Sequence, residues 1–403
     1  MLLLYNIGIQ FFGLVVRIFS LFNNKAALFV NGRKNIFEKI SAQLDPDVAY
    51  IWFHFASLGE FEQGRPVLEA LKAKYPQKKI VITFFSPSGY EIRKNYNLAD
   101  GIFYLPLDTP SNARKIVSLF KPELAILTKY EYWYHYFQAL NQQHIPIFVI
   151  SGIFRPKQIF FKWYGGFNRK ILNFVNHFFV QNKESQALLR SININNVSIS
   201  GDTRFDRVAQ NAATPKAIPF IEKFCAEARV FIAGSTWPAD EQLLSKLIHS
   251  KPDWKFIIAP HEIDQPHIQE IIKLIPKAIK YSENAADPQK HQVLVIDNIG
   301  LLSSIYRYAK VAYIGGGFGA GIHNTLEAAA FGIPVIFGPK YHKFQEAKDL
   351  IEVGAGVSIS NFDELDNAFN NLAYCDSGQK AKAYVGSNVG STDQILKHIA
   401  KFV

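Results

Sequence analysis

After residue 48 the chain alternates between two hydrophobic patterns. Apolar runs of strand length, nearly continuous in Val, Ile, Phe and Leu, are each followed by a stretch with helical spacing of apolar positions. Strands buried on both faces of a parallel sheet read this way, and strands alternating with helices build βαβ units. In the first half the pattern predicts strands over 49–56, 79–85, 102–105, 124–128, 145–150, 177–180 and 197–200. Helices such as 63–75 and 111–120 lie between them. Residues 209–219, AQNAATPKAIP, interrupt the pattern with small residues and two prolines, which predicts a linker. The alternation then resumes, with strands over 230–233, 255–259, 278–281, 293–296, 311–314, 334–337 and 357–359. The helices expected there cover 239–249, 267–274, 301–308, 324–331, 344–353 and 363–372, with a last one over 392–402. The expected architecture is therefore α/β: two Rossmann-like, doubly wound domains facing a central cleft, with ligands beyond the carboxyl ends of the strands.

The amino terminus follows another rule. MLLLYNIGIQFFGLVVRIFSLF is close to the ~20 apolar residues a membrane span needs, but it lacks the basic start and cleavage site of a secretory signal. Asn6, Gln10, Gly13, Arg17, Ser20 and Asn24 recur at steps of three and four, so a narrow polar stripe runs along an apolar helix. Arg17 is costly at a bilayer centre. An interfacial helix lying in the membrane plane fits better than a span, and a helix docked on its own domain is the other reading.

Composition narrows the partners. A net charge of +10 favours an anionic partner such as a membrane surface, phosphorylated lipid or nucleotide. No zinc-finger spacing, ribonucleoprotein-type motif or long basic run points to nucleic acid. Cys225 and Cys375 make neither a CxxC nor a metal spacing, and reduced thiols are expected. No His/Asp/Glu cluster has metal-ligand spacing.

Several motifs sit where strands give way to helices. In FASLGEFE, Glu60 follows the first strand; Ser57-x-x-Glu60 is formally a capping box, and Glu60 is equally placed to be a base aimed into the cleft. In VAYIGGGFGAGIHNTLEAAAFGIP a strand enters a glycine loop containing Gly316 and Gly317, suited to backbone contact with an anion. Its spacing is not the dinucleotide fingerprint, and no acid ends the next strand. Asn324 and Glu327 share a helical face; they cap that helix or accept from a ribose. In FIAGSTWPADE, Ser235 and Thr236 form a plausible phosphate seat or a simple helix start. His261 and Glu262 follow another strand.

Taken together, FHFASLGEFEQGRPVLEAL, TKYEYWYHYF, SGIFRP, SGDTRFDR, AGSTWPADE and the segment from Asp297 to Pro339 closely resemble the Kdo transferases, which add 3-deoxy-D-manno-oct-2-ulosonic acid (Kdo) to lipid A. The resemblance spans nearly the whole chain. It implies the GT-B glycosyltransferase fold, CMP-Kdo as donor substrate with no cofactor, and a lipid A precursor (lipid IVA) as acceptor. It further implies an inverting, metal-independent reaction in lipopolysaccharide biosynthesis at the cytoplasmic face of the inner membrane, without nucleic acid. The expected division is an apolar interface helix over 1–24, an acceptor domain over 25–208, the linker over 209–219, a donor domain over 220–388 and a helix over 389–403 returning to the first domain. On the family's motifs Glu60 matches the catalytic base. Ser235 and Thr236 match its donor-site motif, Asn324 and Glu327 its nucleotide-binding motif, and Gly300 and Leu301 a segment lining the cytosine pocket. His261 follows Ala259-Pro260 where the family often carries Pro-Arg, so the arginine expected to hold a donor anion is missing, and Arg204 is the proposed substitute. Ser57, Gly59, Arg65, Lys129 and Arg155 are the acceptor-side and anion-binding candidates. A non-hydrolysing sugar-nucleotide epimerase, or a non-catalytic lipid-binding protein on the same fold, is the alternative.

Overall fold

The computed structural model describes residues 1–374 and 376–403, with Tyr374 described by its backbone alone. Cys225 is buried, and burial pushes its thiol up to about 12; the reduced thiol expected at Cys375 lies outside the described residues. Two compact units emerge, Met1–Asp206 with Gly390–Val403, and Arg207–Val389.

The first unit is built on seven parallel strands: β1 (Tyr50–Phe55), β2 (Lys79–Phe84), β3 (Gly101–Tyr104), β4 (Pro122–Thr128), β5 (Ile147–Gly152), β6 (His177–Val180) and β7 (Val197–Ile199), in the order β3-β2-β1-β4-β5-β6-β7. Every residue of β1 is buried. Trp52 faces a core containing Phe120 and Tyr136, while Ile51, Phe53 and Phe55 face another containing Phe61, Val67 and Leu71. Burial on both faces is why the strand shows no polar alternation.

The helix after β1 runs over Leu58–Lys74, earlier than the expected start at 63. Its first turn carries Leu58 and Phe61 as its only large apolar residues, too few to register as periodic, yet Phe61 packs edge-on against Phe55 at 5.2 Å. Gly64 allows the close approach, since a Cβ there would lie 2.3 Å from the Phe55 ring. The last helix, Ser391–Ile399, belongs to this unit. Ile395, Leu396 and Ile399 join the Phe53 core, and Asp206 accepts hydrogen bonds from the Thr392 N–H and hydroxyl at 2.6 and 2.7 Å.

The N-terminal helix, Leu2–Phe19, buries none of its residues. Only part of its polar stripe turns inward: Asn6 bonds His135 at 2.6 Å and a Cβ on Gly13 would meet Leu107, while Gln10 and Arg17 stay exposed. Tyr5 donates to Asp108 at 2.5 Å, and the Phe12 ring lies 6.0 Å from that of Phe29. Leu3, Leu4, Ile7, Phe11, Leu14 and Ile18 point outward, each more than half exposed. The helix is thus docked on its own unit through a face that mixes polar and apolar residues, and presents most of its large apolar side chains to the surroundings.

The second unit carries β8 (Val230–Thr236), β9 (Lys255–Pro260), β10 (Ile279–Lys280), β11 (Val293–Val295), β12 (Val311–Ile314), β13 (Val335–Phe337) and β14 (Gly356–Ser358), again all parallel, ordered β10-β11-β9-β8-β12-β13-β14. All the strands expected from the sequence are present, with ends shifted by a few residues. Two expectations need correction. The linker of 209–219 is helical up to its fifth residue, within Arg204–Ala213, and a helix resumes at Pro219; its alanines and Gln210 favour helix until Thr214-Pro215 stops it. The helix expected from 324 covers Leu326–Ala330, because Asn324 instead accepts from the Leu326 N–H at 3.1 Å and holds the turn before it.

Candidate functional site

In a doubly wound sheet the loops diverge where the strand order reverses, and ligands settle there. In the first unit that point lies between β1 and β4. Glu60 sits in the first turn of the helix after β1, part-buried. Ser57 is the N-cap residue but makes no capping bond with its side chain. Its hydroxyl donates instead to Glu60 Oε2 at 2.6 Å. The capping-box reading therefore fails, and the carboxylate is oriented by Ser57 rather than engaged with its own helix. Burial pushes the Glu60 pKa above the ordinary carboxylate value; the Ser57 bond opposes this, nearby Glu131 adds to the rise, and Lys129 and His54 oppose it.

Beyond β4, Lys129 adopts a left-handed backbone with φ 61°, and two residues on stands Glu131. Glu131 Oε2 lies 3.1 Å from His54 Nε2 and accepts from Trp133 Nε1 at 2.8 Å. Thr83 Oγ1, which accepts from Trp52 Nε1, lies 2.8 Å from His54 Nδ1. An ionised Glu131 can only accept, so His54 Nε2 donates to it. His54 and Glu131 were not singled out from the sequence. Both are hidden in aromatic runs, and their link spans 77 positions.

The other cations expected near this site are differently disposed. Arg65 is paired with Glu69 at 2.5 Å along its own helix. Arg204 is paired with buried Asp202 at 2.8 Å and belongs to the first unit, so its charge is already matched by a carboxylate. Arg155 is exposed, and Gly59 is exposed in the helix's first turn.

In the second unit the order reverses between β8 and β12. β8 ends in a register shift at Ser235, whose φ is 54°. Such a bulge at a strand end re-aims a side chain, and the Ser235 hydroxyl makes no hydrogen bond with any described residue. Gly315 is required beside it, since a Cβ would lie 2.2 Å from the Ser235 carbonyl oxygen. Thr236 is a correction: its buried hydroxyl donates to Glu241 at 2.9 Å, and Glu241 also meets His267 at 3.0 Å. Gly316 is another. Its N–H donates to Asp240, which also accepts from Tyr313 and from the Trp237 N–H. The N–H groups of Gly315, Gly319 and Gly321 are engaged by backbone carbonyls. Gly317 is the loop glycine whose N–H is left without a partner among the described residues.

His261 is exposed and stacks on Trp237 at 4.9 Å and on His323 at 4.3 Å. Burial, with the nearby His261, pulls His323 down to about 4. The neutral His323 ring accepts from Trp237 Nε1 at 3.3 Å. Asn324 donates to Glu327 at 3.1 Å, fixing that carboxylate. Gly300, with φ 97°, and Leu301 lead into the short helix Leu302–Ile305. Among the described residues no group of three or more His, Cys, Asp or Glu side chains is placed to hold a metal ion.

Comparison with known proteins bears on both units. Residues 30–207 match the family model described as 3-Deoxy-D-manno-octulosonic-acid transferase (kdotransferase). A 3-deoxy-D-manno-octulosonic acid transferase from Aquifex aeolicus is 26% identical over 323 residues, covering 78% of this chain and 83% of that protein. One from Chlamydia muridarum is 24% identical over 390 residues, covering 92% and 90%. Among solved structures, a UDP-GlcNAc 2-epimerase from Neisseria meningitidis bound to UDP-GlcNAc has a TM-score of 0.60 at 16% identity, over 87% of this chain and 100% of that one. A glycosyltransferase from Rickettsia africae has a TM-score of 0.56 at 13% identity, over 88% and 99%. These likenesses establish the GT-B fold.

Proposed function

The chain belongs to the Kdo transferase family and is a glycosyltransferase; from that premise we propose that it moves Kdo from CMP-Kdo to a phosphorylated, acylated lipid, the lipid A precursor lipid IVA, at the cytoplasmic face of the inner membrane. The observation that carries this reading is Glu60: a part-buried carboxylate at the switch point of the first sheet, held by Ser57 and with its pKa raised.

A sugar hydroxyl is a poor nucleophile at neutral pH, and a positioned base contributes roughly 10²–10⁴-fold. Glu60 takes the acceptor's proton as the hydroxyl oxygen bonds to the anomeric carbon of Kdo. The bond from that carbon to the CMP phosphate breaks on the opposite face, so configuration inverts. The departing phosphate gathers negative charge, which fixed donors stabilise without reorganising. Ser235 Oγ and the Gly317 N–H take that role. The Glu327 carboxylate, fixed by Asn324, accepts from the ribose, and Gly300 and Leu301 lie along the base. His261, stacked on Trp237 and His323, offers a ring to the donor where the family arginine is missing. No metal takes part in this scheme.

The outward apolar face of the N-terminal helix supports a monotopic attachment. Trp163, 92% exposed, and Tyr164 add interfacial aromatics. They lie just before Phe167, whose ring is 5.5 Å from that of Tyr5.

Mass spectrometry of lipid IVA incubated with CMP-Kdo and enzyme tests the reaction: product heavier by one or more Kdo units is expected, and an unchanged acceptor alongside epimerised sugar nucleotide would refute it. The pH profile tests the base. Glu60 must be ionised, so kcat/KM should fall as pH drops through its raised pKa. The Ser57 bond favours the ionised form; Ser57→Ala should therefore move the acid limb to higher pH. A limb that stays in place would separate Ser57 from the base.

A further inference from the structure

A groove of about 890 Å³ opens in the first unit between the N-terminal helix and the helix Asn24–Gly32. Gln10, Gly13, Arg17 and Ser20 form one wall, and Val30, Asn31 and Lys34 contribute to the other. Arg17, Arg33 and Lys34 all line it, and no carboxylate does. Arg33 is held by the carbonyls of Phe29, Phe85 and Leu105 at 2.6–2.9 Å, with its guanidinium 3.5 Å from the Phe29 ring centre. No acid pairs with it among the described residues, and burial lowers its pKa to about 9. A buried cation without a counter-charge is costly and draws an anion towards it. Thr109, the N-cap of the helix Pro110–Phe120, also faces the groove and adds the positive end of that helix. Val16, Leu21, Ile36, Phe37 and Leu107 supply apolar lining.

The groove lies on the same side of the sheet as Glu60. Leu107 follows the carboxyl end of β3, Phe85 that of β2, and Glu60 that of β1. Strands are about 4.8 Å apart, so β3 is roughly 10 Å from β1. Cations, hydrocarbon lining and this position together suit an amphiphile with a phosphate next to its acyl chains.

We propose that this groove binds the acceptor lipid, with a phosphate between Arg17 and Lys34 and an acyl chain along Val16, Leu21 and Phe37. This rests on the reading of the chain as a transferase to a phosphorylated lipid. It replaces Arg65, whose charge is neutralised by Glu69, as the expected phosphate partner.

The test pairs the exposed cations in one variant, Arg17→Glu with Lys34→Glu, and uses two acceptors in detergent micelles: lipid IVA and its enzymatically dephosphorylated form. The KM for lipid IVA should rise about tenfold or more, as loss of a charge-assisted contact entails, with kcat unchanged. The KM for the dephosphorylated acceptor should be the same in variant and wild type. Equal rises for both acceptors, or no rise for either, would overturn the proposal. So would an unchanged KM accompanied by loss of pelleting with phosphatidylglycerol vesicles, which would make the groove a contact for bulk lipid. No turnover by the wild-type enzyme would overturn the transferase reading and this one with it, whereas wild-type turnover with an unmoved KM overturns the groove alone.

Discussion

Glu60→Gln should lower kcat by roughly 10²–10⁴-fold, the contribution of a positioned base, while leaving the affinity for CMP-Kdo essentially unchanged. The amide keeps the shape of the side chain and still accepts from Ser57 Oγ, now 2.6 Å from the carboxylate, so the helix start is preserved. What it loses is the capacity to take a proton. Donor recognition is assigned to residues of the second unit, Ser235, Gly317, Asn324 and Glu327. Turnover assays with titration calorimetry of CMP-Kdo separate the two effects. A variant that turns over normally, or one that loses donor binding along with turnover, would remove Glu60 from the role of base.

The second large effect concerns membrane attachment. Phe11 and Leu14 are 65% and 54% exposed on the outer face of the N-terminal helix, away from Tyr5 and Asn6, which anchor the helix to Asp108 and His135. Burying each such side chain in a bilayer interface contributes about 2 kcal/mol. Phe11→Glu with Leu14→Glu should therefore reduce partitioning into phosphatidylglycerol vesicles by about a thousandfold, measured by co-sedimentation. Thermal stability should not fall, because neither side chain is buried in the fold. Deleting the helix is a poorer experiment: it would leave Asp108, buried at 2% exposure, without the Tyr5 hydroxyl. Undiminished sedimentation of the double variant would mean that the outer face does not hold the enzyme to the membrane.

Much of the fold is legible in the sequence because both sheets are parallel and buried on both faces. Runs such as YIWFHF and VAYI are unbroken by polar residues other than His54, and that exception belongs to the site. Local features dominated by backbone geometry were less legible. The polar stripe of the first helix was visible, but only the structure shows that Asn6 and Gly13 meet the domain while Gln10 and Arg17 stay exposed, since the period does not report which way a stripe faces. The Ser57–Glu60 spacing was equally ambiguous: a capping box and a poised base share one sequence pattern, and the direction of the Ser57 hydroxyl separates them. Thr236 and Gly316 were expected to face a ligand because they occupy a loop that anions favour. The Thr236 hydroxyl is taken by Glu241 and the Gly316 N–H by Asp240, 76 positions away, both acids in the first turn of the helix Pro238–Ser250, whose side-chain directions no spacing rule reports. Glu131 was hidden for the converse reason, standing among aromatics and bonded to a histidine on a different strand.

The account rests on a proton passing from the acceptor hydroxyl to Glu60, and single-turnover transfer of Kdo to lipid IVA followed as a function of pH measures this most directly. The wild-type rate is expected to fall on the acid side through one ionisation above the ordinary glutamate value, and Glu60→Gln to retain only a slow rate without that limb. The same acid limb in Glu60→Gln as in the wild type would place the base elsewhere and contradict the account.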